Sequence, residues 1–231
     1  MKDEIKSMHD NKVWNVVQLP KDVKPVGCKW IFKTKRDSNG NVERYKARLV
    51  AKGFTQKEGI DYKETFSPVS TKDSFRIIMA LVAYLDLELH QMDVKTAFLN
   101  GEIDETIYMV QPPYFEEGDP KGMVCQLQKS IYGLKQASRQ WYHKFAQVIV
   151  SYGFEANQID ECIYHKFSGS KIMFLVLYVD DILLATNDMN MLRETKKFLY
   201  RFFEMKDLGE ATFVLGLKIH RDRSQGLLSL T

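Results

Sequence analysis

Residues 172–185 read IMFLVLYVDDILLA, two apolar runs of β-forming residues on either side of Tyr178-Val179-Asp180-Asp181. Neighbouring strand residues point to opposite faces, and a strand among apolar neighbours has no use for a charge on either. The pattern predicts a hairpin with Val179 and Asp180 at its bend, Asp180 facing the working surface of the sheet and Asp181 beside it. A second acid, Asp93, ends another strand-like run, Leu87 to Val94. Clustered carboxylates repel one another and take up protons unless a cation compensates them. Magnesium suits such a set, because it takes one or two carboxylates plus substrate phosphate oxygens rather than an all-protein cage. Read alone, the acid pair fits a solvent-exposed turn equally well.

Around this hairpin the periodicity changes. Ser70-Thr71-Lys72-Asp73 resembles a capping box, and Phe75, Ile78, Met79, Val82 and Leu85 follow at helical spacing, predicting a helix over 71–86. Ile107 to Val110 predicts a short strand stopped by Pro112-Pro113, and Phe115 to Gly122 an acidic loop. Leu134, Ala137, Trp141, Phe145, Val148, Ile149 and Tyr152 share a helical face, predicting a helix at about 134–152 that Gly153 stops. Asn187 or Asp188 can cap a helix running to about Phe203, and Phe213 to His220 predicts one more strand. Strands and helices alternate irregularly, with neither a repeat nor a nucleotide-binding glycine fingerprint. The expected fold class is α+β with a mostly antiparallel sheet.

The chain has 231 residues, 45% of them apolar, a composition that excludes a disordered segment and is enough for one large or two modest cores. It contains no run of 18 apolar residues and no signal-peptide pattern, so an intracellular location is expected. Cys28, Cys125 and Cys162 are odd in number and far apart, which predicts buried free thiols; Cys162 with His165 lacks the second pair a zinc site needs. The net charge is only +3, but residues 1–60 hold 14 Lys+Arg against 7 Asp+Glu, a balance of +7 that leaves −4 for the remainder. Many of these cations flank a second hairpin signal: Trp30 to Arg36, turn chemistry in Asp37-Ser38-Asn39-Gly40, then Val42 to Ala51. Strand alternation can gather them on one face for a polyanion, or they can merely solvate the hairpin.

Taken together, ordered blocks over nearly the whole chain resemble the reverse transcriptase of copia-type long-terminal-repeat retrotransposons. They are VGCKWIFK (26–33), RLVAKGF (48–54), GIDY (59–62), ETFSPV (64–69), QMDVKTAFLNG (91–101), IYM (107–109), YGLKQA (132–137), RQWY (139–142) and YVDD (178–181). The resemblance implies a right-hand polymerase with fingers and palm and the thumb absent. It implies a fingers-like region at 1–90 with the basic hairpin, palm at 91–112, a fingers/palm segment at 113–153 and palm again at 154–231. The implied activity is RNA-directed DNA polymerisation, transferring dNMP from dNTPs to a primer 3′-hydroxyl.

The same resemblance carries site roles onto matching positions. Asp93, Asp180 and Asp181, with the Val94 carbonyl, hold two Mg²⁺ ions, Mn²⁺ being the alternative. Phe98 lies beneath the incoming sugar and selects deoxynucleotides; without the family context it is a core phenylalanine. Gln136 contacts the nucleotide; otherwise it is a helix-surface glutamine. Lys33, Lys35, Lys46 and Arg48 are candidates for the triphosphate, their face left open because one bulge would flip it. Lys206 is a candidate acid near pyrophosphate, and Leu215-Gly216-Leu217 resembles a primer-grip turn. Implied partners are an RNA or DNA primer–template, dNTPs and the other polyprotein regions (thumb, ribonuclease H, integrase), in a cytoplasmic particle or the nucleus. The chain reads as a fragment of such a polyprotein or a remnant of a decayed element. Competing readings are a non-catalytic nucleic-acid-binding remnant and, further off, a palm-type nucleotidyl cyclase.

Overall fold

The computed structural model describes residues 1–37, 39–117 and 122–231. Ser38 of the expected turn and residues 118–121 of the expected acidic loop lie outside the described residues. In chain order the elements are α1 (Lys2–Asp10), β1 (Trp14–Gln18), β2 (Cys28–Arg36), β3 (Val42–Ala51), α2 (Lys72–Tyr84), β4 (Glu88–Val94), β5 (Tyr108–Met109), β6 (Met123–Leu127), α3 (Ala137–Ser151), β7 (Glu155–Ala156), β8 (Ile163–Ser168), β9 (Lys171–Tyr178), β10 (Asp181–Thr186), α4 (Met189–Phe202), β11 (Met205–Glu210), β12 (Phe213–Val214), β13 (Leu217–Asp222) and β14 (Leu227–Leu230). Every ladder between these strands is antiparallel, so the α+β class expected from the sequence holds. The chain divides into two compact units, residues 1–67 with 98–144 and residues 68–97 with 145–231.

In the first unit β1, β6 and β5 form a small sheet, and β2 pairs with β3 as a long hairpin. Alternation along the hairpin sends Cys28, Leu49 and Ala51 into the core with Met8, Val26 and Leu134, and Trp30 packs against them. Close backbone approach locks this unit. A Cβ on Gly53 would lie 1.9 Å from the Gly133 carbonyl oxygen, and one on Gly133, whose φ is +91°, would lie 2.2 Å from the Ala51 oxygen. Only glycine fits either place.

The second unit is built on a six-stranded sheet of order β11-β4-β10-β9-β8-β7. Thr71 caps α2 by accepting the Ser74 N–H at 3.1 Å, and the helix lays Phe75, Ile78, Met79 and Val82 against the sheet face carrying Leu89, Val176 and Leu183. Ile182 and Leu184 point to the other face and are also fully buried, which explains why β10 reads as an unbroken apolar run. Asp188 caps α4 by accepting the Met191 N–H at 2.7 Å.

Two expectations need correction, and several elements were not foreseen. Phe213 to His220 is two strands, β12 and β13, joined at Leu215-Gly216, both with positive φ (54° and 82°), a two-residue primed turn. The helix expected from residue 134 starts at Ala137, because Gly133 puts the preceding backbone into turns despite the helical phase of Leu134. Strands β1, β6, β7, β8, β11 and β14 and helix α1 carry too weak a periodic signal to be anticipated. Polar β11 (MKDLGE) is a strand because it pairs with β4, not because of its own pattern. All three cysteines are free and buried, as expected, and burial pushes their thiols up, Cys28 to about 11 and Cys125 and Cys162 to about 12.

Candidate active site

The acidic site of the second unit is assembled by register. Asp181 opens β10 directly opposite Asp93 of β4, and Lys206 of β11 lies opposite Asp93 on the other side. Tyr178 of β9 faces Asp181 in turn, so Lys206, Asp93, Asp181 and Tyr178 form one cross-strand row on one face. Directly opposed partners bring Cα atoms to about 4.5–5.5 Å, within reach of a shared ion. Val179 and Asp180 are the two residues of the intervening turn, and the Val94 N–H donates to the Asp180 carbonyl at 2.8 Å, fixing the turn to the end of β4. Asp181, expected beside the working face, is therefore the strand residue that shares a face with Asp93, and Asp180 occupies the turn.

The tip is strained. Val179 has φ of 56°, a left-handed conformation that a β-branched residue adopts only under constraint, at a cost of order 1–3 kcal/mol. Burial raises the proton affinity of Asp181, the Asp180 charge adds to this, and the Gln91 amide, donating to Oδ1 at 2.8 Å, works against it. Gln91 was not singled out in the sequence, although its place two residues before Asp93 puts it on the same strand face. Beside Asp181 lies a cavity of about 230 Å³, lined also by Ser70, Phe75, Tyr178, Leu215 and Leu217, so the primer-grip-like turn borders the acidic row.

Asp93, Asp181 and Asp180 offer hard oxygen donors from two adjacent strands and their turn, the donor chemistry of Mg²⁺. Among the described residues no three His, Cys, Asp or Glu side chains already converge on one point. The set fits an ion that completes its shell from substrate oxygens and water, as Mg²⁺ does, and not a closed structural metal site.

The first unit carries the cations and aromatics. The register of β2 with β3 answers the question of faces: Lys33 opposes Lys46, Lys35 opposes Arg44 and Ile31 opposes Arg48. All four candidate cations, Lys33, Lys35, Lys46 and Arg48, therefore share one face of the hairpin, opposite the face that enters the core. Like charges directly opposed across strands destabilise a hairpin, so its own folding does not account for this row. Burial lowers the proton affinity of the Lys46 ammonium, and Arg48 lowers it further.

Gln136 is neither exposed nor on the helix surface. It precedes α3 and is fully buried, its amide donating to the Asp61 carbonyl at 2.9 Å while its oxygen accepts from Gln56 at 3.1 Å. Phe98 lies on the 3-10 turn Ala97–Asn100, partly exposed, its ring 5.1 Å from that of Tyr132 and tilted by 54°. The Arg48 guanidinium sits over the same Tyr132 ring, 5.0 Å from its centroid. Tyr132 belongs to the YGLKQA block, but an aromatic in a turn gives no periodic signal of what it touches.

The family match and the most similar sequences agree on one family. The family described as "Reverse transcriptase (RNA-dependent DNA polymerase)" matches residues 11–230. The chain is 49% identical over its full length to the "Retrovirus-related Pol polyprotein from transposon TNT 1-94" of Nicotiana tabacum, of which it covers 18%. It is 40% identical, over 96% of its length, to the "Retrovirus-related Pol polyprotein from transposon RE1" of Arabidopsis thaliana, of which it covers 15%. Among solved structures, an apo telomerase from Candida Tropicalis aligns with 99% of the chain and 59% of its own at 11% identity and a TM-score of 0.46. The chain thus spans less than a fifth of the length of these polyproteins, and it belongs to the reverse transcriptase (RNA-dependent DNA polymerase) family.

Proposed function

We propose that the chain is the polymerase core of a retrotransposon polyprotein, with residues 1–67 and 98–144 as fingers and residues 68–97 and 145–231 as palm, and that it adds dNMP to a primer 3′-hydroxyl on an RNA or DNA template. The observation that carries this reading is the direct opposition of Asp93 and Asp181 on neighbouring strands, with Asp180 tied by its carbonyl to Val94. Asp93, Asp180 and Asp181, with the Val94 carbonyl, would hold the divalent ions. Bound there, two Mg²⁺ ions would lower the pKa of the attacking hydroxyl and neutralise charge on the leaving group. The primer oxygen attacks the α-phosphorus in line, the bond to the bridging oxygen breaks, and pyrophosphate leaves. Lys206, opposite Asp93 in the ladder, gives a proton to the departing pyrophosphate oxygen. Lys33, Lys35, Lys46 and Arg48 grip phosphates, Phe98 excludes a 2′-hydroxyl, and the Leu215-Gly216-Leu217 turn supports the primer. Gln136, with its amide committed to Gln56 and Asp61, acts as scaffold for that site.

Primer extension on an RNA template with dNTPs and Mg²⁺ tests the reading. Asp93→Asn and Asp181→Asn should each abolish extension while leaving salt-sensitive primer–template binding in place. Extension that survives Asp93→Asn refutes the ligand assignment. Tight binding with no incorporation by the unaltered chain favours the alternative, a non-catalytic nucleic-acid-binding remnant, which the cationic hairpin alone would serve.

A further inference from the structure

We propose that Lys196, on the side of the sheet away from the acidic row, is a positioning residue for Lys206: by holding Asp207 it sets the place of the bulge in β11 and so turns Lys206 toward Asp93. The inference rests on the polymerase reading above and adds to it a residue that lies outside the site. Lys196 belongs to α4, and its Nζ donates to both carboxylate oxygens of Asp207 at 2.8 Å. It also lies 3.0 Å from Nδ1 of His90, which opposes Leu184 in the ladder and so stands on the face away from Asp93 and Asp181. An ammonium only donates, so Nδ1 accepts; burial and the Lys196 charge hold the imidazole below its ordinary value of 6.5 and keep it neutral for that bond. The three N–H bonds of Lys196 are thereby all used, and its side chain is only 12% exposed, so it is not a free surface cation.

The strand it holds has a choice of register. Before β11 the Lys95 N–H donates to the Glu204 carbonyl at 2.9 Å, and after it the Ala211 N–H donates to the Leu89 carbonyl at 2.9 Å. These two ties are one residue out of step, so one residue between them must bulge. The ladder shifts between Asp207 and Gly209, which leaves Leu208 as the extra residue. Were Met205 the extra residue instead, the same ties would set Asp207 opposite Asp93 and turn Lys206 to the face that α4 covers. Apolar burial separates the two ladders poorly: the observed one buries Met205, 6% exposed, and leaves Leu208 41% exposed, and the alternative would exchange them.

What separates them is where Asp207 points. Its Oδ1 also accepts the N–H of Gly209, whose φ is +74°, at 2.9 Å, so the carboxylate that Lys196 holds is the one that closes the bulge at Leu208. Two carboxylates facing each other across strands repel, which disfavours the alternative in the free chain. A divalent ion at Asp93 would turn that repulsion into attraction, and Lys196 then keeps Asp207 out of the acidic row. Only the observed register puts Lys206 opposite Asp93, where its proton passes to the bridging oxygen as the bond to the α-phosphorus breaks.

Lys196→Met, which fills the same space without donors, tests this, folding being checked by circular dichroism. Primer extension by the 231-residue chain should lose roughly 10-fold or more in kcat, with KM for dNTP and for primer–template within about twofold of the parent. Lys206→Ala alone should cost roughly 100-fold or more, and adding Lys196→Met to it should cost less than about twofold further, since the one acts through the other. Asp207→Asn keeps one acceptor oxygen and, as the milder variant, should lose about threefold by the same split. Nuclear Overhauser contacts between β4 and β11, recorded with Mg²⁺ present, read the register itself: in Lys196→Met those of Lys206 with Asp93 should fade and those of Asp207 with Asp93 should appear. The inference is overturned if Lys196→Met keeps the parental kcat, if its loss adds in full to that of Lys206→Ala, or if the contacts of Lys206 with Asp93 stay as they were. In each case, primer extension that still needs Asp93 leaves the polymerase reading standing. An unaltered chain that extends no primer overturns both.

Discussion

Replacing Asp160 by alanine should cut the tether between the start of α2 and the loop before β8. The carboxylate is buried; Oδ2 accepts the Ser70 hydroxyl at 3.1 Å and the Thr71 N–H at 3.0 Å, and Oδ1 accepts the Cys162 N–H at 3.1 Å. Hydrogen bonds to a charged acceptor contribute about 1.5–3 kcal/mol each and are not additive, and the Ser70 hydroxyl can find another partner. The loss should come to about 3–5 kcal/mol, lowering the melting temperature by roughly 10 °C in a chain of this size. Asp160→Asn retains one acceptor oxygen and should lose about half as much.

The pH dependence has a definite sign. Burial acts to raise the Asp160 pKa, but hydrogen bonds from Ser74, Thr71, Cys162 and Ser70 outweigh it and hold the carboxyl below its ordinary value of 3.8. A depressed pKa contributes stability that is complete above the unfolded value and lost as pH falls through the folded one, so the gap between the unaltered chain and Asp160→Asn should shrink below about pH 4. Because Ser70, Thr71 and Phe75 line the cavity beside Asp181, primer extension should fall with the tether. Thermal melts followed by circular dichroism at about pH 7 and about pH 3.5 provide the assay. An alanine variant melting within about 2 °C of the parent, or a gap to Asn unchanged in acid, would refute the reasoning.

Other outcomes follow from the same geometry. Removing Lys33, Lys35 or Arg44 by alanine relieves like-charge opposition, so stability should stay within about 0.5 kcal/mol or rise. Each loss that removes a phosphate contact should flatten the slope of log K against log salt by about 0.7–0.9, read by fluorescence anisotropy with a labelled primer–template. Gly133→Ala places a Cβ 2.2 Å from the Ala51 oxygen at a φ of +91° and should destabilise the first unit by roughly 3 kcal/mol or more, seen in denaturant titration. Leu215→Asn puts a residue tolerant of left-handed φ ahead of Gly216 and should stabilise the β12–β13 turn by about 1 kcal/mol, a gain of a few degrees in a thermal melt.

Much of the local structure was legible because each part carries its own period or cap. The acid-tipped hairpin, α2 behind Thr71, α4 behind Asp188 and the basic hairpin all announce themselves within about ten residues. The carboxylates could be singled out for the same reason, since a charge between two apolar strands contradicts its surroundings. What lay beyond reach was partnership. Polar β11 became a strand only by pairing with β4, and that pairing places Lys206 opposite Asp93. The four candidate cations were identifiable as residues, but their common face depended on an unshifted register from Lys33 to Arg48.

From its amino acids alone, then, this chain determines its main hairpins, its three longer helices and an unusual set of acids at strand ends, because hydrophobic period and turn chemistry are properties of neighbours in sequence. The tertiary structure alone decided that Asp93 meets Asp181 across 88 residues of chain, that Gln136 is buried with its amide engaged, and that Tyr132 stands between Arg48 and Phe98. Which strand faces which is selected by the apolar surface the whole unit can bury, and no local window of sequence contains that sum.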